Sequence, residues 1–533
     1  MIRVSQIKIP IVEWDENNTE LFKDKIRKKL KLSKKCDFSY RIHRRNIDAR
    51  EKEMLYFVCS LDVKLAKEKE KEVLSKIKKD VMRTPRPYSY YLKRGNQFMK
   101  HRPIVVGFGP AGLFASFLLA KHGYCPLVLE RGEDMDARSR SVDSFFQNGE
   151  LNEESNIQFG EGGAGTFSDG KLTARSKDPR VQMIYDTLIH FGAPKEIAYD
   201  SLPHIGSDRL KGVIKAMRKA IIAYGGEVHF NEKVEELIIE DSAIHGVKTS
   251  KDTYPSEHVI LALGNSARDS VRKFYEQGVA MEAKDIAIGV RIEHQQKFIN
   301  EAMYHQFASH PSLSAASYFL SNQKGAYTFC MCPGGSVVAA TSLKEHVVTN
   351  GMSNYARDEK NANSAILISI GKEEMGEGVF SGMDYVDELE KKAFVLGGSN
   401  YRAPAQLVGD YLKHQSSTKI GEVYPSYPCG VTLCDLHELL PPKIGTKLEE
   451  GLIDFGKKIH GFDANDSILT AIETRSSAPV RILRDRDTMN SLSVKGLYPC
   501  GEGAGYSGGI TSSAIDGVKV AEKIITSFIY MEE

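Results

Sequence analysis

The stretch PIVVGFGPAGLFASFLLAKHGYCPLVLE, residues 103–130, constrains this chain more than any other. An apolar run of strand length, a glycine turn, an apolar run of helix length and a second short apolar run predict a βαβ unit, and strands joined through a helix lie parallel. Gly107, Gly109 and Gly112 stand between the first strand and the helix with GxGxxG spacing, and Pro110 and Ala111 lie inside the turn. The first glycine permits the tight turn, the second lets a pyrophosphate approach the backbone with no Cβ in the way, and the third lets the helix pack on the strand. The phosphates would meet amides at the positive end of a helix dipole. Glu130 ends the second strand, where a carboxylate accepts bonds from an adenosine ribose and repels a 2′-phosphate; Arg131 follows it. Together these residues predict a bound dinucleotide.

At 533 residues the chain is several times one ordinary domain, so two to four domains are expected. No window approaches the roughly 18 consecutive apolar residues of a membrane helix, and MIRVSQIKIPIVEWDENN lacks the apolar core and cleavage site of a signal peptide. The cytoplasm is the expected location. The eight cysteines are too sparse for a disulfide framework and read as thiols. Charge is uneven: residues 1–100 carry 27 Lys and Arg against 14 Asp and Glu, and the remainder 45 against 56. Such an excess attracts nucleic acid, an acidic protein or the acidic remainder of the same chain, and the residues alone leave all three open.

Along the chain, residues 1–95 alternate strand-like runs with lysine-rich helical ones, which predicts a small basic α/β module. TPRPYSYYLKRGNQFMKHRP, residues 84–103, reads as a linker lying against the next domain. Residues 96–280 read as the first part of a doubly wound, Rossmann-type domain, 281–490 as an inserted mixed α+β substrate or cap domain, and 491–533 as the closing part. The loop EGGAGTFSDGKL, residues 161–172, holds Gly162, Gly163, Gly165, Thr166, Ser168 and Lys171. Glycines that let a backbone approach a ligand explain that composition better than flexibility.

GFGPAGLFAS, FGEGGAGTFSDGKL, LALGNSARDS, IGVRIEH, FCMCPGG, ETRSSAPVRI and PCGEGAGYSGGITSSAIDG together resemble a bacterial FAD-dependent oxidoreductase family, the NAD(FAD)-utilizing dehydrogenases, over residues 100–533. The segment TYPSEHVILALG, ending at Gly264, resembles the strand-plus-glycine motif of FAD domains of the glutathione reductase superfamily. Gly501 and Glu502 resemble the same superfamily's late motif, whose acidic residue bonds to the ribityl chain. The resemblance implies FAD, with residues 161–172 wrapping the diphosphate and flavin ring. It also implies that Gly508, Gly509 and Ile510, opening the last helix, aim amides at flavin N1 and the C2 carbonyl. A cation at Lys171 would stabilise negative charge on the reduced ring.

For the chemistry, a disulfide reductase of this type needs a CxxxxC pair after the first βαβ unit, and none is present. Cys330 and Cys332 on a regular strand would share a face, which fits a thiolate near the flavin or two small core side chains. Cys429 and Cys434 do not give zinc-ligand spacing with that pair, so no metal is expected. Arg475 is the preferred holder of an anionic substrate, since guanidinium binds carboxylates bidentately; an ion pair with Glu473 or another neighbour is its structural alternative. After Gly264 the GxGxxG spacing recurs only as GAGYSG, residues 503–508, inside the late motif and with no second βαβ unit behind it, so a separate NADPH-binding domain is not expected: NAD(P)H binds transiently in the cleft, or the substrate itself reduces the flavin and oxygen or a quinone reoxidises it. The leading expectation is an FAD-dependent oxidoreductase acting on a small molecule. Flavin-dependent RNA modification through the basic module and a non-catalytic redox sensor docking a protein partner are the alternatives.

Overall fold

Short runs of β-branched and leucine side chains that are buried on every residue, such as Ile104–Val106 and Leu127–Leu129, suit the middle of a sheet covered on both faces. In the computed structural model, which describes residues 1–85, 90–173 and 176–530, these two strands join Glu227–His229, Val259–Leu261 and Leu497–Pro499 in one all-parallel sheet. The second and third strands in chain order lie to one side of Ile104–Val106, and the fourth and fifth lie to the other. The order therefore reverses at the first strand. In open α/β sheets, the crevice beyond the carboxyl ends at such a reversal is where ligands bind.

The helix Pro110–Lys121 is buried on ten consecutive residues and so has no polar face. It packs between the closing helix Ile510–Ser527 and Ser207–Ala223. A Cβ at Gly517 would lie 2.1 Å from the Ala111 carbonyl oxygen, so the closing helix approaches to backbone contact. A three-stranded antiparallel meander, Val234–Glu240, Ala243–Thr249 and Thr253–Pro255, precedes the fourth parallel strand.

A second sheet occupies the middle of the chain. Its six strands run in the spatial order Ala326–Cys332, Asn361–Ile370, Ile286–Gln295, Ile468–Glu473, Ala403–Leu407 and Val431–Leu433, antiparallel except for the last pair. Met281–Ala283 pairs with Val480–Ile482, so the chain enters and leaves this layer through one two-stranded ribbon. The central strand Ile286–Gln295 is buried almost throughout, yet it carries Arg291, Glu293 and His294.

The first 85 residues form a βαββαβ unit. Its antiparallel sheet runs in the order Ser39–Asp48, Tyr56–Lys64, Ile2–Pro10, Val81–Arg83, with helices Thr19–Leu30 and Lys67–Lys76 as crossovers. This is the split βαβ, or ferredoxin-like, arrangement. Arg45 fixes it to the remainder: Nε and Nη2 donate to the Asp200 carboxylate at 2.7 and 2.9 Å, and the backbones of Arg45, Tyr199 and Ser201 exchange hydrogen bonds. Of the expected linker, residues 86–89 lie outside the described residues. Beyond them, Gln97–Met99 pairs in parallel with Phe528–Tyr530. No helix among the described residues is long and apolar enough to cross a membrane.

Candidate dinucleotide cleft

The glycine turn behaves as its spacing demands. Gly107 has φ +96°, and a Cβ there would lie 2.4 Å from the Ala262 carbonyl oxygen at the end of the neighbouring strand. A Cβ at Gly112 would lie 1.9 Å from the Gly107 oxygen and 3.3 Å from Val105 Cγ1, so this glycine serves helix–strand packing and does not line the cleft. Gly109 faces open space, with only Gly163 Cα within 3.7 Å of a Cβ position. It is also the N-cap of Pro110–Lys121 and no side chain caps that end, so the first-turn amides remain for a ligand.

Glu130 is more committed than its spacing suggested. Its Oε1 accepts from the Gly132 and Gly160 amides at 2.9 and 3.0 Å and its Oε2 from the Phe108 amide at 2.8 Å. The carboxylate thus braces the turn, and only Oε2 keeps an acceptor site for a ribose hydroxyl. Arg131 lines the cleft but is held by Glu154 at 2.6 Å and bidentately by Asp269 at 3.0 and 3.1 Å, with its guanidinium over the Phe159 ring.

The glycine-rich loop folds back onto this turn. Gly163, at φ +64°, sits so close that a Cβ would be 2.9 Å from Gly109 Cα. Gly163, Gly165, Ser168 and Lys171 line the cleft. Gly162 and Thr166 do not: a Cβ on Gly162 would strike Thr166 Oγ1 at 2.2 Å, and the buried Thr166 hydroxyl donates to the Glu161 carbonyl, so both shape the loop from behind. Arg138, which sequence reasoning missed, holds the loop's form. Fully buried, it donates to the carbonyls of Asn156, Ile157, Glu161 and Gly163 at 2.6–3.0 Å. Burial brings its guanidinium down to about 10. Lys171 Nζ lies 4.0 Å from Asp169, whose carboxylate is already paired with Arg357.

The carboxy-terminal segment closes the other side. Gly501 (φ +79°), Glu502, Gly508, Gly509 and Ile510 line the cleft, as does Gly264 (φ +75°). Gly509 is the N-cap of the 18-residue helix Ile510–Ser527, and again no side chain caps it. Two helix N-termini therefore open onto one cavity of about 1110 Å³, slightly larger than the roughly 300–1,000 Å³ common for small-ligand sites. Burial pushes the Glu502 carboxyl up to about 7, with Lys284 opposing and Asn265 donating to its Oε1 at 2.7 Å.

Two expectations about the reacting side chains need correction. Arg475 lines the cleft, but its guanidinium is engaged by Glu390 at 3.0 and 3.4 Å and by the Ser266 and Ser342 hydroxyls at 2.9 and 2.5 Å. It is a buried ion pair, with Glu390 and not Glu473, and holds no free fork for an anionic substrate. Glu473 pairs instead with the fully buried Arg291 at 2.9 and 3.1 Å, and Arg291 also donates to Cys330 O, Asn350 and Asn363. Cys330 and Cys332 do not follow regular strand alternation. The ladder pairs Phe329 with Ala365 and Cys332 with Asn363, so one extra residue bulges between them, and Cys330 takes φ +43°. The bulge turns Cys330 into the cleft wall and leaves Cys332 buried beneath it, its Sγ donating to the Cys330 carbonyl at 3.2 Å. Of the two thiols, Cys330 is held below the ordinary value by its hydrogen bond with Cys332, with Lys171 and Arg291 adding to it against burial, while Cys332 rises.

The chain is a mixed α/β protein whose parallel sheet reverses its strand order beside the cleft. Residues 285–476, the six-stranded layer, match the family model described as "FAD-dependent protein, C-terminal domain-like", and residues 1–64 match a "Domain of unknown function (DUF8436)". Over 534 residues, 99% of this chain and 99% of the other, the sequence is 47% identical to a protein of Clostridium beijerinckii described as an uncharacterized protein. The chain belongs to the same family as that protein. Solved structures that match the chain include a geranylgeranyl bacteriochlorophyll reductase-like protein from Thermoplasma acidophilum (13% identity, 80% of this chain and 79% of that one, TM-score 0.34) and L-proline dehydrogenase from P. horikoshii (14%, 80% and 93%, 0.34). Glycine oxidase from Bacillus cereus is a third (11%, 80% and 95%, 0.32). At such values no reaction is carried over from them.

Proposed function

We propose that the chain binds FAD along this cleft and is an FAD-dependent oxidoreductase acting on a small molecule. One observation carries the reading: the glycine turn at 107–112, the loop at 163–168 and the segment at 501–510 converge on one cavity, each presenting backbone without Cβ atoms, beside two uncapped helix N-termini. That donor set fits a pyrophosphate at Gly109 and an electron-rich ring edge at Gly509. The motifs ending at Gly264 and Gly501, which resemble those of the glutathione reductase superfamily, follow neighbouring strands beside the turn, which supports that type of FAD domain.

When bound, FAD supplies the two-electron chemistry; the chain supplies binding, orientation and charge. Pro110–Lys121 offers amides to the pyrophosphate and Ile510–Ser527 to the edge of the flavin ring. Oε2 of Glu130 accepts from a ribose hydroxyl. The six-stranded layer contributes the exposed rings of Phe319 and Phe329 to the cleft, a surface for a planar or apolar substrate, with Cys330 and Lys171 at its polar edge. NAD(P)H is proposed only as a transient reductant.

The test is the spectrum of the purified protein, the cofactor released on denaturation, and anaerobic bleaching by a metabolite panel. One FAD per chain and bleaching by a panel member are expected; colourless protein that takes up no added FAD sinks the reading.

Glu502 makes a separate prediction. Its folded value near 7 lies above the ordinary 4.5, so the folded chain binds the extra proton. That contribution is fully present below pH about 4.5 and is lost as pH rises through 7. Glu502→Gln should remove this slope and leave the flavin-free chain about 1–3 kcal/mol more stable than wild type at pH 8. Urea unfolding at pH 5 and pH 8 measures it; equal slopes for both proteins count against the assignment.

A further inference from the structure

A second cluster lies in the six-stranded layer, and none of its members lines the dinucleotide cleft. It is built from three places in the chain: His414 just past the short helix Val408–Tyr411, His437 in the turn Leu436–Glu438, and Glu449 on the long helix Pro442–Lys458. His437 Nε2 lies 3.0 Å and His414 Nε2 3.4 Å from the same Glu449 Oε1. The Asp435 carboxylate takes the other side of His437, 2.7 Å from Nδ1, and is itself fixed by the His437 amide at 3.0 Å. Among the described residues, no lysine or arginine pairs with Asp435 or Glu449.

From these contacts we infer that His414, His437 and Glu449 form a Zn²⁺ site with an open fourth position. With the Nδ1 proton donated to Asp435, His437 turns a lone pair from Nε2 toward Glu449. With His414 in the same tautomer, three acceptor atoms face one another within 4.8 Å, an arrangement that a cation between them would stabilise. Imidazole N–H groups could donate to Glu449 instead, but a single Zn²⁺ ion is the occupant that takes all three atoms as ligands at once. Bonds of about 2.0–2.1 Å to a tetrahedral ion place its ligand atoms roughly 3.3–3.4 Å apart, which the separations of 3.0 and 3.4 Å nearly reproduce. A carboxylate on the distal nitrogen of a ligating histidine is the usual outer-shell support. Two imidazoles and one carboxylate suit zinc, and three protein ligands are the pattern that keeps a position for water or a substrate.

The rings of His414 and His437 are stacked at 4.3 Å with 23° between their planes, so His414 must tilt for the two lone pairs to converge. It is free to do so, being the most exposed of the three, whereas His437 is held by Tyr411 stacked on its other face at 4.3 Å. The ion would tie the 412–417 loop and the 435–438 turn to the long helix. This inference does not rest on the flavin reading.

The test uses the full-length protein, freed of metal by a chelator and titrated with Zn²⁺ against a chromophoric competitor. One tightly held equivalent is expected, with Asp435→Asn weakening it by about 10–100-fold and His437→Ala abolishing it. His414→Ala, at an exposed position, leaves the fold intact and should lose most of the affinity. Co²⁺ in place of Zn²⁺ should show a ligand-field spectrum without thiolate charge transfer, which separates this site from the cysteines. Failure of the wild type to retain Zn²⁺, thiolate bands with Co²⁺, or identical titrations for wild type and His414→Ala would each overturn the proposal.

Discussion

Replacing Glu390 by glutamine is expected to destabilise the chain by about 3–5 kcal/mol, the cost of removing one partner from a buried ion cluster. Glu390 is fully buried between two guanidiniums. It accepts from Arg268 at 2.7 and 3.1 Å, from Arg475 at 3.0 and 3.4 Å and from the Thr474 hydroxyl at 2.6 Å. Burial pushes its carboxyl up, but the two arginines outweigh burial and hold it at about 2. The arginines themselves diverge: Arg268, which also has Asp387, is raised, whereas burial lowers Arg475 and Arg268 beside it adds to that. Glutamine keeps the volume and leaves two facing cations with no anion between them. Because the folded value lies below the ordinary 4.5, the stabilisation is present above pH about 4.5 and is lost as pH falls toward 2. Urea unfolding at pH 7 and pH 4 should therefore show a shallower acid loss in the variant. Adding Arg475→Met should recover part of the deficit by removing an uncompensated charge. A loss below about 1 kcal/mol would mean that the cluster contributes little.

Gly112→Ala and Gly109→Val should separate folding from cofactor binding, although they lie three residues apart. At Gly112 the new methyl would overlap the Gly107 backbone, which no rotamer change relieves. A loss upwards of about 3 kcal/mol is expected, beyond ordinary overpacking, together with loss of flavin. Gly109 has φ −74° and ψ −174°, a conformation open to any residue, and its Cβ position is free of close contacts. Its valine variant should unfold within about 1 kcal/mol of wild type yet bind FAD at least about 100-fold more weakly, roughly 2.7 kcal/mol. Thermal unfolding of the flavin-free chains and FAD titration measure both. Retention of wild-type FAD affinity by Gly109→Val would place the pyrophosphate elsewhere.

The glycine turn was legible because close backbone approach leaves its mark in residue type: only glycine fits at Gly107 and Gly112, whatever surrounds them. Glu130 was found by spacing, but its three amide partners were not, since two of them, Phe108 and Gly160, lie 22 and 30 residues away. The cysteine pair misled because a single inserted residue breaks strand alternation, and no propensity in FCMC announces a bulge. Arg138, Arg291 and Glu390 went unnoticed because a charged residue in sequence reads as solvent-facing by default. One signal did exist. IAIGVRIEHQ places charges in a run that must lie in the centre of a sheet, and a buried charge requires a partner.

What the sequence determined by itself was the local physics. Strand and helix runs, the turn that joins them and the clash that a Cβ at Gly112 would make with Gly107 follow from contacts made within a few residues. Which arginine is free and which is paired was decided only by the tertiary structure, as were the face Cys330 presents and the three-way meeting of His414, His437 and Glu449. Those outcomes depend on desolvation and on partners brought together from distant parts of the chain, and neither quantity exists until the layers have packed.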